Sequence, residues 1–199
     1  MKKILHIISS PRREESNSTL LGKSIIEKLQ AQHPGSTVVT NNVVDKNYLP
    51  LQPVHVTAYK LPDESHTPEQ RKALQNSDEA VAQLFHADIV VISIPLYNFN
   101  IPAALKGWVD HVVRGGKTFS YQAGRPEGLL TGRKVYLAIA SNGVYSDGPM
   151  KPMDHAEPYM RFILGFMGMT DITTYRIEGS GMAGVMETAV KKGLESVLI

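Results

Sequence analysis

Hydrophobic and polar positions follow two rhythms along this chain. Short apolar runs at Lys3 to Ser9, Ser36 to Val44, Asp88 to Ile94, Lys134 to Ala140 and Ile172 to Ile177 are rich in β-branched residues and predict strands. Between them, apolar residues recur three and four positions apart, as in Leu21, Ile25 and Leu29, or Leu105, Trp108, Val109 and Val112, and predict helices. Boundary residues agree. Ser16-Asn17-Ser18 supplies N-cap chemistry for the first helix, and Pro34-Gly35 closes it. Thr67-Pro68-Glu69-Gln70 gives the next helix an N-cap, a proline at its first position and a capping-box glutamine; Leu74, Ser77, Val81 and Leu84 form its stripe. A helix from about Pro102, one from about Pro152 to Met167 and a last one from about Val185 to Val197 follow.

The resulting order is βαβαβαβαβα. Strand and helix in alternation imply one α/β domain, a doubly wound five-stranded parallel sheet with right-handed crossovers and helices on both faces. The run Asp88 to Ile94 is apolar on both faces, as a central strand requires. For five strands the expected order is 2-1-3-4-5. Two stretches stand outside the alternation: Asn47 to Pro68, rich in proline and polar residues, reads as an insertion or lid, and Phe119 to Gly132 as an irregular excursion containing a small hairpin.

In such a sheet ligands bind beyond the carboxyl ends of the strands, where the strand order reverses. Three loops meet there: Ser9 to Ser18, Pro95 to Asn100 and Ser141 to Asp147. The first offers the hydroxyls of Ser9, Ser10, Ser16 and Ser18, the Asn17 amide and the free N–H groups of a helix N-terminus, a combination suited to phosphate. Ser16 or Ser18 acting simply as an N-cap is the plain alternative. Neither GxGxxG nor GxxxxGK[ST] follows the first strand, which disfavours a Rossmann dinucleotide and a P-loop and leaves the phosphate of a mononucleotide such as FMN. Arg12 and Arg13 stand ready to neutralise it, unless they are only solvated. In the second loop Leu96, Tyr97, Asn98 and Phe99 put two aromatics and an amide directly after a central strand, where a planar ring would cover them; the alternative is that both rings pack under a neighbouring helix. Ser141-Asn142-Gly143 lets backbone approach a flat ligand, although Ser-x-Gly is also a common turn.

Composition narrows the chemistry. The 199 residues suit one domain with a full core, and 21 Lys plus Arg against 19 Asp plus Glu leave no field that would draw nucleic acid or anionic lipid. Cysteine is absent, so thiol nucleophiles, CxxC redox chemistry and Cys-based zinc sites are excluded, and a redox role needs a bound cofactor. No run approaches the roughly 18 apolar residues of a membrane span, and the first strand is too short for a signal peptide. A cytoplasmic protein without membrane contact is expected. His55 and His66 lie in the insertion, His111 on a helix, and Asp154-His155 alone is weak evidence for a metal, so no metal site is assigned. No side chain is given an obligatory acid or base role.

Ser9-Ser10-Pro11, Ser16-Asn17-Ser18, Pro95-Leu96-Tyr97-Asn98-Phe99-Asn100-Ile101-Pro102 with Leu105-Lys106, and Gly116-Lys117-Thr118-Phe119-Ser120-Tyr121 together resemble the FMN-dependent NADH azoreductase family. The resemblance runs to Gly168 and includes Pro126-Glu127-Gly128-Leu129 and Asp147-Gly148-Pro149. It implies a flavodoxin-like fold and FMN contacts at Ser10, Ser16, Asn17, Ser18, Leu96, Tyr97, Asn98, Phe99, Ser141, Asn142 and Gly143. It also implies NADH or NADPH as donor, quinones and azo compounds as acceptors, and a homodimer with the flavin at the subunit interface. Phe119 and Tyr121 are the expected aromatic walls for the acceptor. Leu96 stands where methionine is common, and the third loop lacks the usual second glycine and is one residue shorter.

Two other classes share the topology. An electron carrier of flavodoxin type would be acidic with a compact glycine-containing phosphate loop, whereas this chain is near neutral with a longer loop. A phospho-acceptor signalling domain needs acidic residues after the first strand and an aspartate after the third, where Ser9-Ser10 and Pro95-Leu96 stand instead.

Overall fold

The computed structural model describes residues 1–122 and 124–199. Five parallel strands, β1 (Lys3–Ile8), β2 (Thr37–Asn42), β3 (Ile89–Pro95), β6 (Lys134–Ala140) and β7 (Asp171–Ile177), pair in the order β2-β1-β3-β6-β7. This is the expected order 2-1-3-4-5, because the intervening β4 (Phe119–Gln122) and β5 (Arg125–Gly128) form a separate antiparallel hairpin. Around the sheet lie α1 (Asn17–Gln32), α2 (Val43–Lys46), α3 (Pro53–Ala58), α4 (Pro68–His86), α5 (Ala103–Val112), α6 (Ala156–Phe166) and α7 (Met186–Glu195).

Successive residues of a strand point to opposite faces, and the central strands divide accordingly. Leu5, Ile7, Val90, Ile92, Ile94, Val135, Leu137 and Ile139 share one core with α4, α5 and α6. Ile4, Ile89, Val91, Tyr136, Ala138 and Ala140 share the other with α1 and α7. The second face also carries two buried polar side chains: His6 Nε2 and Ser93 Oγ lie 2.8 Å apart. Helix α1 crosses directly above them on Gly22, where an added Cβ would stand 2.2 Å from Ser93 Oγ and 2.7 Å from His6 Nε2.

Three elements differ from expectation. The second strand stops at Asn42 rather than Val44, because the Asn42 side chain accepts the Val44 N–H (3.1 Å) and starts α2, which buries Val43. The fourth large helix begins at Ala156, not Pro152: Asp154 Oδ1 accepts the N–H groups of Ala156 and Glu157 at 2.9 and 3.1 Å, and Pro152 belongs to a 3-10 turn. The stretch Asn47 to Pro68 is a packed strap rather than a lid. It contains α3, and its histidines are buried: His55 Nδ1 accepts the Gln52 N–H (3.0 Å) and His66 Nε2 meets Ala58 O (2.9 Å). His111, buried on α5, fastens the strap further through Nε2 to Leu49 O (2.8 Å). No helix of the described residues is long and apolar enough to cross a membrane.

Two outcomes follow from the buried pair. Gly22→Ala gains helix propensity of about 1 kcal/mol but forces an overlap that costs about 1–3 kcal/mol or more. The expected result is net destabilisation, read as a lower denaturant midpoint with unchanged slope; an unchanged or raised midpoint would show that α1 can lift away. Burial, aided by Lys23 and opposed by Glu14, lowers the pKa of His6 from 6.5 to about 4. The unfolded chain therefore takes up the proton first, and stability present above pH 6.5 drains as pH falls toward 4, by about 3 kcal/mol. His6→Gln should flatten the stability curve between these values, leaving the smaller part due to His111, whose pKa burial also lowers. Parallel curves for the two proteins would assign the acid sensitivity elsewhere.

Candidate functional site

Beyond the carboxyl edge of the sheet, the three loops expected from the topology enclose one groove of about 140 Å³. The first contributes Ser10, Arg12, Ser16 and Asn17; the second Pro95, Leu96 and Tyr97; the third Ser141 and Asn142. Ser180, from the turn after β7, completes it. A larger cleft of about 970 Å³ opens next to it, with Asn100, Tyr145, His155 and Arg176 among its walls. A cavity of about 410 Å³ between Thr37, Val39 and α4 lies at the opposite edge of the sheet, away from all three loops.

The first loop presents an anion cradle. Ser16 occupies the N-cap position of α1, yet its side chain caps nothing; its Oγ meets Ser18 Oγ at 2.9 Å. The N–H groups of Asn17, Ser18 and Thr19 consequently have no acceptor among the described residues. Three free N–H groups at the positive end of a 16-residue helix suit a phosphate. The plain N-cap alternative for Ser16 is not what the side chain does. Ser9 is occupied internally, its Oγ donating to Ser93 O at 2.7 Å, while Ser10 Oγ accepts the Arg12 N–H at 3.3 Å. Of the two arginines, Arg12 lines the groove and Arg13 turns to Asp45 on the surface (2.6 Å).

The second loop stores strain. Tyr97 and Asn100 exchange two backbone hydrogen bonds (2.9 and 3.0 Å) across a two-residue turn in which Asn98 (φ 48°) and Phe99 (φ 67°) are both left-handed. Asparagine tolerates that region, but phenylalanine does so at about 1–2 kcal/mol. The turn leaves the Asn98 and Phe99 N–H groups without partners among the described residues, beside the half-exposed rings of Tyr97 and Phe99. The packing alternative for these rings therefore does not hold: both remain at the surface. His155 N–H donates to Phe99 O at 3.0 Å and holds the turn from outside.

The third loop is braced from β7. Ser141 Oγ donates to Gly143 O (2.8 Å), Gly181 N–H to Asn142 O (3.1 Å) and Gly179 N–H to Gly143 O (3.1 Å). Ser180 Oγ reaches Ser141 O at 3.2 Å. Gly143 does not line the groove; it supports Tyr145, whose ring meets Phe99 edge-on with centroids 6.0 Å apart. Glu178 and Arg176 stand behind this loop. Burial alone would raise the pKa of Glu157 beside them, but hydrogen bonds from Thr174, Arg176 and Arg161 outweigh it and hold the carboxyl at about 2.

Ser10, Ser16, Asn17, Leu96, Tyr97, Ser141 and Asn142 thus converge on one groove, with Ser18, Asn98, Phe99 and Gly143 in the same loops immediately behind or beside it. Phe119 and Tyr121 do not line it. They sit on the β4–β5 hairpin, where Phe119 packs on Phe166 of α6 with centroids 4.6 Å apart. Sequence reading missed Ser180; the Gly179-Ser180-Gly181 turn after the last strand was the available signal, since that turn also leaves the carboxyl edge.

The flavodoxin-like fold family matches residues 2–198 of this chain. An FMN-dependent NADH:quinone oxidoreductase from Rhizobium etli is 47% identical over 179 residues, covering 90% of this chain and 87% of the relative. A homologue from Mesorhizobium japonicum with the same name is 42% identical over 94% of this chain and 89% of its own. Among solved structures, an azoreductase from Bacillus anthracis superposes with a TM-score of 0.89 at 31% identity, covering 98% of this chain and 96% of its own. An FMN-dependent NADH-azoreductase from the same species, solved in complex with FMN, gives 0.83 at 26% identity, covering 98% and 97%. The chain therefore belongs to the flavodoxin-like fold family and, within it, to the family of these FMN-dependent NADH:quinone oxidoreductases.

Proposed function

We propose that this chain is a cytoplasmic FMN-dependent oxidoreductase that draws electrons from NADH, or NADPH, and passes them to small aromatic acceptors, reducing quinones and cleaving azo compounds to amines. The observation that carries the reading is the groove that the uncapped N-terminus of α1 shares with Leu96 and Tyr97, beside the left-handed Asn98-Phe99 turn. A flavin mononucleotide asks for an anion cradle, an apolar support and donors along its ring, and the residues present fit each need. Ser16, Asn17, Ser18 and the free N–H groups of α1 would hold the phosphate, with Arg12 adding positive charge and Ser10 a hydroxyl. Leu96 and Tyr97 would support the ring, the Asn98 and Phe99 N–H groups would address its polar edge, and Ser141 to Gly143 would close the other side.

When bound, FMN supplies two-electron transfer in a ping-pong cycle, once for a quinone and twice for complete cleavage of an azo bond. The protein's part is to bind, orient and exclude water. Its redox chemistry has no thiol to draw on, since the chain holds no cysteine. Among the described residues that line the groove none is a buried acid or base, and water can supply the protons.

A groove of about 140 Å³ is smaller than the roughly 300–1,000 Å³ of pockets that enclose a ligand. Tyr121 and Phe162 are meanwhile 68% and 71% exposed. A second copy of this chain across the groove would cover both, and we place Phe119 and Tyr121 as aromatic walls for the acceptor in that homodimer.

The purified protein, reconstituted with FMN, should show flavin absorption bands that NADH bleaches anaerobically and a quinone restores. No flavin bands after reconstitution would end this reading, and bleaching without quinone turnover would make the chain an electron carrier. Phe119→Ala should lower kcat/KM for quinones about tenfold, or roughly 1.4 kcal/mol, near the upper value of an aromatic pair, with FMN content unchanged. Unchanged steady-state constants would remove Phe119 from the acceptor site.

A further inference from the structure

Behind the second and third loops lies an ion cluster that touches neither groove wall directly. Arg176, on β7, is only 12% exposed and meets three carboxylates: Asp154 Oδ2 through Nη2 at 2.5 Å, Glu157 Oε2 through the same nitrogen, and Glu178 Oε1 through Nη1 at 3.2 Å. Each carboxylate has further work. Glu178 Oε1 accepts the Tyr145 and Ser146 N–H groups at 2.8 and 3.0 Å, and Glu178 Oε2 takes the Ser146 hydroxyl, so this side chain ties down the outer half of the third loop. Asp154 Oδ1 accepts two N–H groups at the start of α6, which sets the position of His155, the residue that donates to Phe99 O. Glu157 Oε1 accepts from Thr174 and from Arg161 Nε at 2.6 and 2.7 Å.

We infer that Arg176 is a positioning residue for the FMN groove, tying the third loop, through Glu178, and the strained Asn98-Phe99 turn, through Asp154 and His155, to one guanidinium on β7. The inference rests on the FMN-dependent reading above. The physical case is that a left-handed phenylalanine persists only where its surroundings over-determine it. Beyond the turn's own two Tyr97–Asn100 bonds, the described residues brace it through a backbone bond from His155 and the edge-on ring of Tyr145, and the residues carrying both are fixed by carboxylates that share Arg176. Three carboxylates at this low exposure repel one another once their common cation is removed. Asp154 and Glu178 would then swing toward water and release the N–H groups they hold. Arg161 serves as an internal control: it joins the same cluster through Glu157, but its other bonds run to Ile172 O and Thr174, and it touches neither loop.

The test compares holoenzyme of the wild type with Arg176→Met, Arg176→Lys, Glu178→Gln and Arg161→Met. Two readouts are taken: FMN release on dilution, followed by the fluorescence of freed flavin, and amide hydrogen exchange at residues 97–100 and 141–147. Arg176→Met should weaken FMN retention at least tenfold and speed exchange in both segments, Arg176→Lys should recover most of the loss, and Arg161→Met should stay within about twofold of wild type. Glu178→Gln should speed exchange at Tyr145 and Ser146 while leaving Asn100 protected, and it carries the test if Arg176→Met does not fold. Wild-type exchange at both segments in Arg176→Met, or equal losses in Arg161→Met and Arg176→Met, would overturn the inference. Because exchange is read on the protein itself, a wild type that retained no FMN would sink the functional reading and still leave the tie between the loops decided.

Discussion

Parallel pairing is the constraint on which this molecule depends. Two parallel neighbours cannot be joined by a tight turn, so each strand must return through a crossover before the next begins. Every loop leaving a strand therefore emerges at the same edge. Because β1 sits between β2 and β3, the crossovers after β1 and β3 run to opposite faces, and a groove opens between them. Crossovers on both faces also bury both sides of β1, β3 and β6, which is why those strands split so cleanly between two cores.

The groove inherits its chemistry from that edge. A helix that starts there presents free N–H groups, and Ser16 leaves them free by bonding to Ser18 instead of capping. A strand that ends there must turn within a few residues, and Tyr97 to Asn100 does so by a mirror-image turn that a phenylalanine resists. The conflict between local preference and imposed conformation falls in the loop that would face the flavin. That is where a fold can spend stability on a fixed array of donors, provided neighbouring elements hold it.

The holding elements come from the far side of the sheet. β7 brings Arg176 and Glu178 behind the third loop, and its following turn places Ser180 in the groove wall. The hairpin β4–β5 and Phe162 of α6 stand outside the groove, with Phe119 packed on Phe166 and Phe162 left in solvent. One chain thus assembles the groove from its own loops and leaves Tyr121 and Phe162 exposed.

Much of this was legible in the residues themselves. Periodicity located the five sheet strands and the large helices because burial of one face or both is a local pattern, and connectivity then fixed the strand order and the edge where Ser10 to Ser18, Leu96 to Phe99 and Ser141 to Gly143 meet. Element ends were less legible, because Asn42 and Asp154 ended or delayed an element by accepting nearby N–H groups. What only the tertiary structure decided were contacts between residues far apart in the chain. His6 finds Ser93 87 positions away beneath Gly22, and the strap from Asn47 to Pro68 turns from apparent lid to packed layer once His111 reaches Leu49. Phe119 and Tyr121 fall outside their own chain's groove, and Arg176 ties Asp154 and Glu178 to loops that no sequence spacing connects. Short-range patterns record which face of an element is buried; which distant side chain it is buried against is settled only when the sheet and its crossovers have closed.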